Sequence, residues 1–124
     1  MRVKIDTKEK FHVITVNEPS LTADLAEEIG SRVKEIGQGS VKNVVLNLSG
    51  VTQCTPEAAQ ALAGMQQKTY EDSRSFVICS LAKELETVFE ELDLLDLLNM
   101  TPTESEAWDI VQMEEIEREM LGGE

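Results

Sequence analysis

Val44-Val45-Leu46-Asn47-Leu48-Ser49-Gly50-Val51-Thr52-Gln53-Cys54-Thr55-Pro56-Glu57-Ala58-Ala59 reads as a buried strand, a short loop and an abrupt helix start. Val44 to Leu48 is almost continuously apolar, the pattern of a central strand covered on both faces. Thr55 offers a side-chain cap. Pro56 lacks an N–H that the first helical position does not need, and Glu57 puts an acid on the positive end of the helix dipole. Helix N-termini at sheet edges are where α/β domains hold ligands, phosphates or partners. This junction is therefore the candidate functional site.

Upstream of it, Val3-Lys4-Ile5-Asp6 and part of His12-Val13-Ile14-Thr15-Val16 alternate apolar and polar residues, with a turn at Thr7-Lys8-Glu9-Lys10. This predicts a β-hairpin with one face on the core. Asn17 to Ser20 is a loop. Leu25, Ile29, Val33 and Ile36 form one apolar stripe on a helix over about 22–36, which stops at the glycine turn Gly37-Gln38-Gly39-Ser40. The core strand spans Val41 to Leu48. Downstream, a helix over about 56–72 with a small-residue face (Ala58, Ala59, Leu62, Ala63, Met65) precedes a short buried strand, Phe76 to Cys79. A third helix covers about 82–92. The leucine-rich turn 92–98 is mostly core, or with two or three leucines exposed a patch for a partner or a dimer. A brief strand near Met100 follows. Thr103 and Glu106 form a capping box, opening a last helix to about Met120 anchored by Ala107, Trp108, Val111 and Ile116. The order β-β-α-β-α-β-α-(β)-α argues for α/β architecture. It predicts a single mixed sheet of about 4–5 strands, an N-terminal hairpin followed by parallel strands, with about four helices. At 124 residues this is one domain over 1–121, with 122–124 frayed.

The net charge of −13 is uneven: Lys83 to Glu124 holds 14 acids against 2 bases, and the first 82 residues are nearly neutral. That acidic third repels nucleic acid and anionic membranes. It serves as a solvated face or as an attraction for a basic partner. With 4% aromatics the core is aliphatic and stacking platforms for single-stranded nucleic acid are lacking. No stretch approaches the ~18 apolar residues of a membrane span. Met1 to Asp6 has no apolar leader core, so a cytoplasmic protein with reduced Cys54 and Cys79 is expected. Cys79 reads as a small core hydrophobe, and Cys54 is weighed as a redox handle near the helix start.

Catalytic sets are hard to build from these residues. His12 is the only histidine. It lies in the hairpin, far in sequence from any nucleophile, and no cysteine cluster joins it for a metal. It is expected to face solvent from its strand. The acid pairs Glu90-Glu91 and Glu114-Glu115 fall on amphipathic helices as solvated faces. The glycine pair Gly37/Gly39 follows a helix and is followed by no Lys-Ser/Thr, so it is no phosphate loop. No enzyme activity, metal or cofactor is expected.

The element order, Leu48-Ser49-Gly50-Val51-Thr52 with a helix starting a few residues later, and the later run Phe76-Val77-Ile78-Cys79-Ser80 with Leu85-Glu86-Thr87-Val88-Phe89-Glu90-Glu91-Leu92-Asp93-Leu94 resemble the STAS family. These are the sulfate-transporter and anti-sigma-factor-antagonist domains, and the resemblance covers about 2–121. It implies a regulatory domain that binds an anti-sigma kinase. In that family an Asp-Ser-Ser/Thr-Gly motif opens the second helix, and its first Ser is the phosphoacceptor. Counted from Leu48-Ser49, Thr55 falls on the Asp, Pro56 on the phosphoacceptor, Glu57 on the second Ser/Thr and Ala58 on the Gly. Proline has no hydroxyl, so the usual phosphorylation cannot occur there.

Three readings of this departure stand. Thr55 is only a cap and Glu57 only a dipole acid, with no switch. Or Glu57 supplies permanent charge in place of phosphate, partially, since a phosphate carries about −1.5 to −2. Or Thr55 or Thr52 is phosphorylated instead, its phosphate facing the amides of Glu57 and Ala58. The expected partner surface comprises Val51, Gln53, Cys54, Thr55, Pro56 and Glu57, with Ser20 from the loop 18–21. The partner is an anti-sigma factor or kinase; the alternative is the ATPase of a lipid-transport ABC system, on which small STAS proteins dock as accessory subunits.

Overall fold

In the computed structural model, which describes residues 3–8, 11–39, 43–95 and 97–122, the quoted stretch sits at the middle of a mixed sheet. The strands are β1 (Val3–Thr7), β2 (Phe11–Val16), β3 (Ser20–Leu21), β4 (Asn43–Asn47), β5 (Gln53–Cys54), β6 (Phe76–Cys79) and β7 (Met100–Thr101). The helices are α1 (Ala23–Ile36), α2 (Pro56–Glu71), α3 (Lys83–Glu91) and α4 (Glu104–Gly122). Five strands form one sheet in the order β1-β2-β4-β6-β7, antiparallel at the β1–β2 hairpin and parallel thereafter. The α/β class, the mixed sheet and the four helices are those expected.

Register explains why β4 is apolar on both faces. Val13, Val45 and Val77 lie in one cross-strand row, and Ile14, Leu46 and Ile78 in the next. The Ile14 row is buried with Leu25, Ile29, Leu62, Leu85 and Phe89, so α1, α2 and α3 cover that face. The Val13 row is buried with Ala107 and Val111, so α4 covers the other. Each fully buried Leu, Ile or Phe contributes about 1.5–3 kcal/mol through its removal from water.

Several expectations are corrected. The loop 17–20 and the junction 51–55 were expected to be free coil; instead β3 and β5 pair in parallel as a second, two-stranded sheet. Trp108 and Ile116 were expected to anchor α4, yet they are exposed. What holds the second half of α4 is polar. Asn43 Nδ2 donates to Glu115 Oε2 at 2.8 Å, and the amide of Ser75 donates to Asn43 Oδ1 at 2.9 Å. Arg118 reaches Asn43 Oδ1 at 3.2 Å and Ser75 Oγ at 3.1 Å. In the capping box, Thr103 Oγ1 accepts from the amide of Glu106 at 3.2 Å, but the Glu106 carboxylate accepts from the Thr103 hydroxyl. The helix continues through Gly122, which was expected to be frayed. Gly37 is the C-cap of α1, the glycine stop expected, with an ordinary right-handed φ of −64°. The expected turn residues Glu9, Lys10 and Ser40, the expected strand start at Val41-Lys42, Asp96 of the leucine-rich turn and the fraying expected at 123–124 all fall outside the described residues.

Candidate functional site

The site begins where β4 ends. Asn47 Oδ1 accepts from the amide of Ser49 at 2.9 Å, an Asx turn that swings the chain out of the sheet. The amide of Val51 donates to Leu48 O at 3.0 Å and closes the turn. The chain then runs beside the segment that follows β2. Pro19 O accepts from the amides of Thr52 at 2.8 Å and Gln53 at 3.0 Å, and from Thr52 Oγ1 at 3.4 Å. Ser20 pairs with Gln53 and Leu21 with Cys54. Ser20 Oγ donates to Gln53 Oε1 at 3.0 Å, and the amide of Thr55 to Leu21 O at 3.0 Å. The Pro19 carbonyl can take both amides because a carbonyl oxygen has two lone pairs.

Thr55 caps α2 as expected: its backbone is extended, with φ −76° and ψ 153°, and Oγ1 accepts from the amide of Ala58 at 3.2 Å. The Ala58 amide is therefore already engaged. Its acceptor, Thr55 Oγ1, is the atom that would carry a phosphate on this residue. Pro56 is the first helical residue and Glu57 the acid of the first turn, both exposed.

The predicted residues fall into three groups. Thr52, Gln53, Pro56 and Glu57 are exposed on one edge, and Ser20, Cys54 and Thr55 are half-buried beside them. Val51 is fully buried in the core. It was expected to touch a partner, and it instead anchors the loop from beneath, because the Asx turn points it inward. Burial pushes the Cys54 thiol up to about 11, and Sγ donates to the Thr55 carbonyl at 3.4 Å. A thiol so disfavoured as thiolate is a poor redox handle. His12, expected to face solvent, is half-buried on β2 beside Thr7 Oγ1, 3.0 Å from Nδ1.

The residues that sequence reasoning passed over are Asn47 and Pro19. Asn47 had a signal, an Asn two residues before a Ser-Gly at a strand end. Pro19 had none, since its role depends on a pairing between segments distant in sequence.

A groove of about 840 Å³ lies elsewhere, between α2 and the turn 92–99, lined by Ala63, Gln66, Tyr70, Leu94, Leu97 and Asn99 among others. Tyr70 donates to the Glu114 carboxylate at 2.7 Å, and burial together with that carboxylate holds its phenol above the usual range. Gln66 clamps the backbone of Leu97 and Asn99. These polar groups are committed to the fold. Among the described residues no group of three or more His, Cys, Asp or Glu is placed to hold a metal ion. No helix of the described residues is long and apolar enough to cross a membrane.

The family model for the STAS domain matches residues 2–107. Comparison with curated protein sequences finds no match. Among solved structures, an anti-sigma-factor antagonist (STAS) domain protein of Planctomyces limnophilus superposes with a TM-score of 0.75 at 18% identity, over 89% of this chain and 97% of that one. The Bacillus cell-fate determinant SpoIIAA in its phosphorylated form gives a TM-score of 0.64 at 19% identity, over 88% of this chain and 98% of that one. The murine anion transporter Slc26a9 gives 0.70 at 15% identity, over 87% of this chain and 18% of that one. At these identities the likeness is one of fold.

Proposed function

The chain belongs to the STAS domain family, and on that premise we propose that it is a non-enzymatic regulatory domain that binds a partner protein. The binding edge is formed by Ser20, Thr52, Gln53, Cys54, Thr55, Pro56 and Glu57. The observation that carries this reading is the β3–β5 pairing, which fixes two loops and the start of α2 into one exposed edge without a partner present. A pre-ordered edge loses little entropy on binding.

Counted from Leu48-Ser49, Pro56 falls on the phosphoacceptor of the family motif, and it has no hydroxyl. Thr55 serves as the cap of α2. Glu57 places one fixed negative charge on the first turn. The domain therefore holds a single binding state, without the phosphate-driven exchange of partners.

Pull-down from the native cell tests this, with the parent chain compared with Glu57→Lys and Thr55→Asp. Aspartate keeps the cap oxygen, so the fold survives. Reversing the charge at Glu57 is expected to cut partner recovery about ten-fold, the loss of roughly one charge-assisted contact. Unchanged recovery in both variants removes the edge as the interface. Intact mass of the chain from its native cell is expected to be the unmodified value; an added phosphate restores a switch at Thr55 or Thr52. A transport ATPase recovered in place of an anti-sigma kinase assigns the domain as an accessory subunit.

A further inference from the structure

α4 has two apolar faces. Ala107 and Val111 are buried against the sheet. Met113, Ile116 and Met120 point the other way and are 63%, 55% and 79% exposed, with Trp108 exposed nearby. Their spacing of three and four puts the last three in one row along the helix. Four of the six large apolar side chains exposed among the described residues lie on this helix. Exposed apolar residues scattered singly are ordinary; an aligned row marks a contact surface.

The row is framed by acids. Glu106, Asp109, Glu117 and Glu119 are exposed on the same side of α4. The one basic residue of the helix, Arg118, is turned toward Ser75 and Asn43 and does not neutralise them. Asn47 touches Glu104, and Asn43, at the other end of β4, touches Glu115. α4 therefore runs back along β4, and Ile116 and Met120 lie toward the end of the molecule opposite Thr55. The two surfaces can be occupied at once.

We propose that the outward row Met113, Ile116 and Met120, with its acidic frame, is a second docking surface that takes a basic amphipathic helix of a partner protein. Opposite charge selects this occupant: lysines or arginines flanking an apolar stripe meet the carboxylates while the stripe covers the row. Methionine's flexible side chain suits such helix-in-groove contacts. A second copy of the chain brings a charge of −13 against −13. An anionic lipid surface is repelled in the same way.

Trp108 is the only tryptophan in the chain and reports on this face. The full chain is titrated with a synthetic Leu/Lys amphipathic helical peptide, following Trp108 emission, beside a scrambled peptide of the same composition. Saturable binding is expected for the amphipathic peptide, weaker by about ten-fold or more in Ile116→Glu. Because Ile116 is exposed, circular dichroism of that variant should match the parent. The proposal falls if Ile116→Glu binds as the parent does, or if the scrambled peptide binds equally. It also falls if sedimentation shows an Ile116-dependent dimer of the chain alone, or if phosphatidylglycerol vesicles bind the parent through Ile116.

Discussion

Gly37 shows how one residue is chosen by a neighbour far away in sequence. Its backbone is right-handed, so no conformational need for glycine exists there. A Cβ at Gly37 would instead collide with Arg74 Nη1, and the buried Arg74 donates through Nη2 to Val33 O at 2.9 Å. The guanidinium thus satisfies a carbonyl in the last turn of α1 and needs the space. Gly37→Ala should displace it and cost about 1–2 kcal/mol despite alanine's better helix propensity. Urea denaturation of the variant checks this, and equal or higher stability rules the account out. At Pro56 the residue scale also sets the chemistry, since the side chain offers no atom to phosphorylate.

At the scale of elements, α4 is the least conventional piece. Its sheet-facing side is narrow, resting on Ala107 and Val111 with half-buried Ile110. The clamp of Asn43, Ser75, Glu115 and Arg118 compensates at its second half. With so few apolar contacts, each is worth more to the helix. Val111→Ala should destabilise the fold by about 2 kcal/mol, as expected for a fully buried aliphatic truncation, and lower the protection of α4 amides in hydrogen exchange before those of β4. Uniform loss across both elements would show that α4 does not open separately. Termination of α3 is similarly local: Asp93 takes a left-handed φ of 57°, and the amide of Leu94 donates back to Phe89 O at 2.8 Å.

For the whole molecule, alkaline pH is the informative axis. Burial raises the Cys54 thiol from an ordinary 9.0 to about 11, and raises Cys79 and Tyr70 too. Each group is neutral in the folded chain over a range where the unfolded chain has ionised it. The unfolded state therefore holds fewer protons above the ordinary value, and stability falls as pH rises. Melting temperature should be flat with respect to these groups below about pH 8 and should decline from pH 9 upward. Cys54→Ala should shallow the part of the decline that ends near pH 11. A profile flat to pH 11 would contradict the burial of all three groups.

Much of the fold was legible because its signals are local. Alternation in β2, the continuous apolar run of β4, the stripe of α1, and the Thr55-Pro56-Glu57 opening of α2 each depend on residues within a few positions of one another. So does the absence of a hydroxyl at Pro56. What the sequence left open was non-local. Ser20 and Gln53 meet across 33 positions, and nothing in either segment announces the partner that turns two loops into one edge. Val51 reads as a loop residue until the Asx turn at Asn47 points it into the core. Trp108 and Ile116 read as anchors until the register of α4 on the sheet turns them to solvent. Local chemistry determines which elements form and where they stop. Only packing determines which face of each is left for something else to cover, because burial belongs to pairs of surfaces and not to single segments.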